Sequence, residues 1–172
     1  MTALAILEYP DARLRRVAVP VVRFDAYLHQ LVDQLFETLE RSGGLGLAAT
    51  QVDVHLRVLV TRMPGSDPRA YINPEIIERD LPAIAEESCL SLPGLVAQVA
   101  RSARIRVRAC DRHGMRFEQE LVDLEAVCLQ HEAEHLDGIL FVDHLSWLRR
   151  LQARRRLGKA RDAAMRGQGG RA

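Results

Sequence analysis

The sequence predicts one domain in which amphipathic helices share a core with half-buried strands. Three observations predict it. The chain has 172 residues, a length at which one domain is the default and folding buries roughly 70% of the unfolded surface. Apolar residues recur at three- and four-residue spacing in two separate stretches. Between those stretches, apolar and charged residues alternate with period two.

The stretch "DAYLHQLVDQLFETLER" (25–41) is the clearest helix. Leu28, Leu31, Val32, Leu35, Phe36 and Leu39 form its stripe, Asp25 caps its start, and Gly43 and Gly44 stop it. "LRVLVTR" (56–62) reads as a strand, and "YINPEIIE" (71–78) as a short strand interrupted by Pro74. In "ARIRVRACD" (103–111), Ile105, Val107 and Ala109 take one face, and Arg104, Arg106 and Arg108 the other. A basic stripe of this kind is more often a solvated face than an RNA-binding one. "DRHGMRF" (111–117) has Gly114 at a hairpin turn. Residues 123–137 form a second helix, with Leu124, Val127, Cys128, His131 and His135 on one side and Gly138 beyond its end. From Ser146 the tail carries nine basic residues and one acid, Asp162. Trp147, Leu148, Leu151, Leu157, Ala160 and Ala164 give it a partial apolar side, so it reads as a helix that frays after Gly167.

Composition narrows the function classes. Hydrophobic residues are 48% and charged residues 27%, ordinary for a soluble globular protein, and a net charge of +1 excludes a polyanion binder over the whole surface. Nothing approaches the length of a membrane-spanning helix. The apolar run at the N-terminus is too short for a secretory leader and soon meets Asp and Pro. The three cysteines, Cys89, Cys110 and Cys128, are odd in number and lack framework spacing, which points to a reducing compartment. A cytoplasmic location is expected.

The chemistry sits in "LQHEAEHLDG" (129–138). His131 and His135 are i and i+4, so both imidazoles lie on one helical face and can reach one metal ion. Glu132 points beside that ion, as a carboxylate that handles protons of a water. A third protein ligand is then needed. Asp137, Asp143 and His144 follow closely, but Asp137 is badly placed at i+2 and the others need a tight return. Cys89, in the polar, turn-like "EESCLSLPG" (86–94), is the rival. A thiolate beside Glu86 and Glu87 alone is not stabilised, whereas one beside a divalent cation is, so Cys89 reads as a ligand rather than a free nucleophile. Cys110 and Cys128 read as small hydrophobes. "SGGLGLAATQV" (42–52) is neither a dinucleotide fingerprint nor a phosphate loop, since no lysine follows. Its glycines suit a ligand backbone lying alongside in strand-like pairing. Gln51 offers an amide that could serve a developing oxyanion or a purely structural role.

Three stretches, "GLGLAATQ", "ESCLSLP" and "QHEAEHLDG", together resemble the three signature motifs of the peptide deformylase family, in the usual order and spacing. "YPDARLRRVAVPV" and "GILFVDHLS" extend the likeness to about Arg161, and the basic C-terminal helix resembles that of the Gram-negative type. The resemblance implies an α+β fold, with antiparallel and mixed sheets around a central metal-bearing helix plus N-terminal and C-terminal helices. It implies residues 1–145 as the catalytic body and 146–172 as a basic helix and frayed tail of the same domain. The implied reaction removes the N-formyl group from nascent peptides beginning with formyl-methionine. Cys89, His131 and His135 match the metal ligands, for ferrous iron in the cell with zinc, nickel or cobalt as substitutes. Glu132 matches the catalytic carboxylate, and Gln51 and the Leu90 backbone N–H match the oxyanion donors. The Leu45–Gly46 backbone matches the substrate-pairing strand, and Leu45, Val127 and Cys128 match the pocket for the methionine side chain. Arg101 resembles a supporting arginine paired with Glu87. A monomer is implied, and in the Gram-negative type the C-terminal helix docks on the ribosome.

The sequence departs from the family pattern in three places. Ser88 replaces a glycine that borders the substrate, Glu134 replaces an aspartate, and Ala100 replaces a proline. None is a matched metal ligand, the matched carboxylate or Gln51. Three other readings stay open on residues alone: a relative acting on another formamide or amide, a ribosome-associated protein without catalysis, and an HExxH protease.

Overall fold

Strand β2 (Val58–Thr61) is buried on both faces, and this organises the molecule. Val58 and Val60 point to one side and Leu59 to the other, as period-two geometry requires. On the first side lies α1 (Ala26–Ser42). Its Leu28, Leu31, Val32, Leu35 and Leu39 pack with Leu47, Val58, Val60 and Ile72. On the second side lies α2 (Asp123–Leu136). Its Ala126, Leu129 and Leu136 pack with Leu59, Tyr71, Ile105, Val107 and Leu121. Burying each such leucine contributes about 2 kcal/mol. In this computed structural model the backbone is described for residues 3–168 and the side chains for 3–158.

The strands β1 (Gly46–Ala48), β2, β3 (Arg69–Ser88), β4 (Val96–Cys110) and β5 (Arg116–Val122) form one antiparallel sheet in sequence order. Among the described residues the parallel component reduces to a single bridge, Val19 with Leu56. The α+β expectation holds. α1 starts and stops where the sequence says: the Asp25 carboxylate accepts from the Leu28 N–H, and Gly43 adopts a left-handed conformation with φ 69°.

The middle of the chain differs from expectation. β3 is not a short strand broken at Pro74 but a 20-residue arm. Pro74 falls at a register shift between Ile72 and Glu75, where the ladder demands no N–H. From Glu75 on, β4 is the only strand paired with β3 among the described residues, so Pro82 sits on an edge strand. β5 was legible only as the far side of the Gly114 turn. The basic stripe is a solvated, paired face: Arg104 forms an ion pair with Asp80, Arg106 with Glu78, and Arg108 with Glu75 and Glu118.

The C-terminal helix α3 (Trp147–Gln168) buries Ala153 and Leu157 among Leu14, Leu92, Leu95, Val99 and Phe141. Trp147 and Leu148, expected on its apolar side, are exposed. The expected fraying after Gly167 and the side chains of Ala160 and Ala164 lie outside the described residues. Among the described residues, no helix is long and apolar enough to cross a membrane.

Candidate active site

α2 is buried on nearly every side and carries the site on its inner turns: Gln130, His131, Glu132 and His135 are all buried. Such a helix has to satisfy its polar groups one by one. Cys89 is the first residue after β3, so the end of the long arm delivers its thiol to the same place. The ligand atoms of Cys89, His131 and His135 lie within 4.8 Å of one another. The Cys89 Sγ is 3.2 Å from His135 Nε2. A soft sulfur with two imidazoles suits ferrous iron, zinc, nickel or cobalt and does not suit magnesium or calcium. The residues present therefore fit a transition-type divalent ion. Asp137, Asp143 and His144, the rivals for third ligand, are engaged elsewhere, with Arg57, Arg15 and Glu134 respectively.

A polar chain runs behind the histidines. His131 Nδ1 meets Glu87 Oε2 at 2.8 Å. Arg101 donates to Glu87 Oε1 at 2.5 Å and to both oxygens of Glu134, at 2.6 and 2.9 Å. Glu134 in turn meets His144 Nε2 at 2.9 Å. The Glu87 carboxylate thereby fixes the His131 tautomer, with Nδ1–H donating to Glu87 and Nε2 left for the cluster. Burial alone would raise the Glu87 pKa, but the bonds from His131 and Arg101 outweigh it and hold the group at about 2. Arg101 pairs with Glu87 as expected. Glu134, which stands where the family has aspartate, holds two Arg101 donors, and its partner His144 reads in the sequence only as a rival ligand.

Glu132 is buried, and its Oε2 has no hydrogen-bond partner among the described residues. Burial pushes its pKa up to about 7, against the opposing pull of His131. Burial also lifts the Cys128 thiol well above its ordinary value, so it is neutral. Gln51 is oriented at both ends: Oε1 accepts from the Ala48 N–H at 2.8 Å, and Nε2 donates to Ser91 Oγ at 3.1 Å while lying 3.7 Å from Cys89 Sγ. Ser91 was not singled out in the sequence, although it is fully buried beside the motif cysteine.

These groups floor a cleft with a volume of about 430 Å³. Leu45, Gly46, Ser88, Leu90, Val127 and Cys128 line it, as do Gln51, Glu87, Cys89, His131 and Glu132. Arg101 lies behind the wall. Leu124, Pro93 and Glu86 also line it and were not predicted. Gly46 is required for packing: a Cβ there would lie 2.7 Å from Glu132 Cγ and 2.8 Å from Cys128 Sγ.

The chain matches the polypeptide deformylase family over residues 3–151. Similar relatives include the peptide deformylase of Hahella chejuensis, 49% identical over 92% of this chain and 96% of that protein. That of Alkalilimnicola ehrlichii is 50% identical over 92% and 91%. A solved peptide deformylase from Legionella pneumophila superposes with a TM-score of 0.92 at 41% identity, over 96% of this chain and 99% of that one. The enzyme from Ehrlichia chaffeensis, solved in complex with actinonin, gives 0.90 at 36% identity over 93% and 98%. Sequence, fold and cleft agree, and the chain belongs to the peptide deformylase family.

Proposed function

We propose that this chain removes the N-formyl group from peptides beginning with formyl-methionine and releases formate, using one divalent ion held by Cys89, His131 and His135. The observation that carries the proposal is the placement of one soft thiol, two imidazoles and a Glu132 oxygen unpartnered among the described residues at the floor of one glycine-walled cleft. When bound, the ion supplies Lewis acidity, making a water more acidic and a carbonyl more electrophilic. The remaining work falls to the chain. The backbone of Leu45 and Gly46 pairs with the peptide along one wall, and Ser88 borders it on the other. Leu45, Val127 and Cys128 receive the methionine side chain, for which a neutral thiol is a suitable neighbour. The Gln51 amide and the Leu90 N–H stabilise the formyl oxygen as negative charge develops. Glu132 takes the proton of the attacking water and passes it to the departing amine nitrogen. Glu87 and Arg101 position His131.

The test is formate release from formyl-Met-Ala-Ser by protein purified without oxygen and loaded separately with ferrous iron, nickel and zinc. Turnover should vanish with a chelator and return with metal. Glu132→Gln should retain metal and lose at least roughly 100-fold in kcat; a variant that turns over normally would remove Glu132 as the base. Failure with every metal, in a folded and metal-bound protein, would assign the site to another formamide or amide.

The same reading places the enzyme in the cytoplasm as a monomer of one domain, with α3 docking on the ribosome. Its support is the exposure of Arg154 and Arg155 on that helix. R154E/R155E should weaken ribosome cosedimentation, and the wild-type interaction should fall steeply with salt. Identical cosedimentation of variant and wild type would remove the docking role.

A further inference from the structure

A second groove opens where the first one ends. It lies between the start of β4 and α3, has a volume of about 330 Å³, and is lined by Glu86, Val96, Gln98, Arg149, Gln152 and Arg156 among others. Glu86 also lines the catalytic cleft, so the two depressions share a rim. The spacing along β3 sets what arrives there. From Cys89 back to Glu86 is three residues, about 10 Å at the rise of a strand. An extended peptide whose formyl group sits beside Cys89, running along this free edge of β3, reaches Glu86 at about its third residue. The second groove lies across the β3–β4 ladder at this point, where Glu86 pairs with Gln98 and Ser88 with Val96, so the next residues reach it by crossing the shared rim at Glu86.

The groove has a definite chemistry. Arg149 and Arg156 are exposed, and neither has a hydrogen-bond or ion-pair partner among the described residues. Arg150, between them in sequence, differs: it donates to the carbonyls of Asp143 and Leu145. Arg149, Gln152, Ala153 and Arg156 recur at helical spacing, so the face whose Ala153 is buried against the body also presents both guanidinium groups to the groove. Two unpaired guanidinium groups beside a peptide path favour carboxylate side chains.

We propose that this groove is an extension of the substrate site, which receives the fourth to sixth residues of the formylated peptide and selects acidic side chains there through Arg149 and Arg156. The helix α3 is then part of the substrate surface. The inference rests on the deformylase reading above.

The test compares three peptides on the metal-loaded full chain: formyl-Met-Ala-Ser, and the same sequence extended by Asp-Glu-Asp or by Lys-Lys-Lys. The acidic hexapeptide should exceed the tripeptide in kcat/KM by roughly three- to tenfold at low salt, the range of two exposed ion pairs, and the lysine hexapeptide should not. In R149E/R156E the order of the two hexapeptides should invert, an outcome that misfolding cannot imitate. Fluorescence anisotropy with labelled hexapeptides should show the same order and inversion in affinity, with no turnover required. Equal values for both hexapeptides in the wild type overturn the proposal. So does an unchanged order in the variant, and if that variant also loses ribosome cosedimentation, the arginines serve nucleic acid instead. No turnover of the tripeptide would strike the deformylase reading, and the anisotropy arm would still decide the groove.

Discussion

Strand β4 holds four arginines in two settings. The Arg101 side chain is 4% exposed and grips two carboxylates, Glu87 and Glu134. Arg104, Arg106 and Arg108, a few residues on, are 42–51% exposed and pair with acids on neighbouring strands. Residue type and strand are the same, and the solvent is not. An exposed pair exchanges water for a partner at little net gain. A buried cluster has already lost its water, so each member depends on the others. Charge on this strand therefore marks function only where it is buried.

The sharpest way to break the contrast is Arg101→Ala. It leaves Glu87 and Glu134 facing each other without their cation. Stability should fall by about 3–5 kcal/mol, a drop in Tm of roughly 10 °C for a chain of this size, with metal affinity down about 10- to 100-fold. Calorimetry and metal titration would read both, and a loss under about 1 kcal/mol would erase the distinction between the two settings. Arg106→Ala should cost no more than about 1 kcal/mol; a loss as large as that of Arg101→Ala would make the stripe structural. The smallest effect concerns pH. The Arg104 guanidinium holds the Asp80 pKa below its ordinary value. A carboxyl depressed in the folded state stabilises above its unfolded pKa, and that contribution fades as pH falls through the folded one. The difference between wild type and Arg104→Ala should thus be visible near neutral pH and low salt, and vanish in acid or in 1 M salt. A difference that persists in both would mean that Arg104 acts by packing.

The contrast also explains what the sequence made legible. α1 was readable because a single stripe, an Asp25 cap and a Gly43 stop all agree. The cluster of Cys89, His131 and His135, which could hold a metal, was readable in its two histidines because i and i+4 spacing puts both on one helical face. β3 was not, because Pro74 and Pro82 read as breaks, while the bulge and free edge that tolerate them are properties of the assembled sheet. The outer half of the polar chain was hidden for the same reason. His144 looked like a candidate ligand, and nothing local says that it meets Glu134, which lies between His131 and His135 on α2. For Gln51, which reads evenly as structural or functional, nothing local says that Ala48 and Ser91 orient its amide.

Gly46 carries a consequence for inhibition. Its Cα faces the Glu132 and Cys128 side chains with no room for a methyl group. Any substitution there adds at least a Cβ, and that atom would strike the very carboxylate on which turnover is proposed to depend. A compound that draws its affinity from the backbone of Leu45 and Gly46 therefore leans on a wall without a viable escape mutation. One that draws it from Ser88, which is exposed on the opposite wall, leans on a position where resistance is cheap.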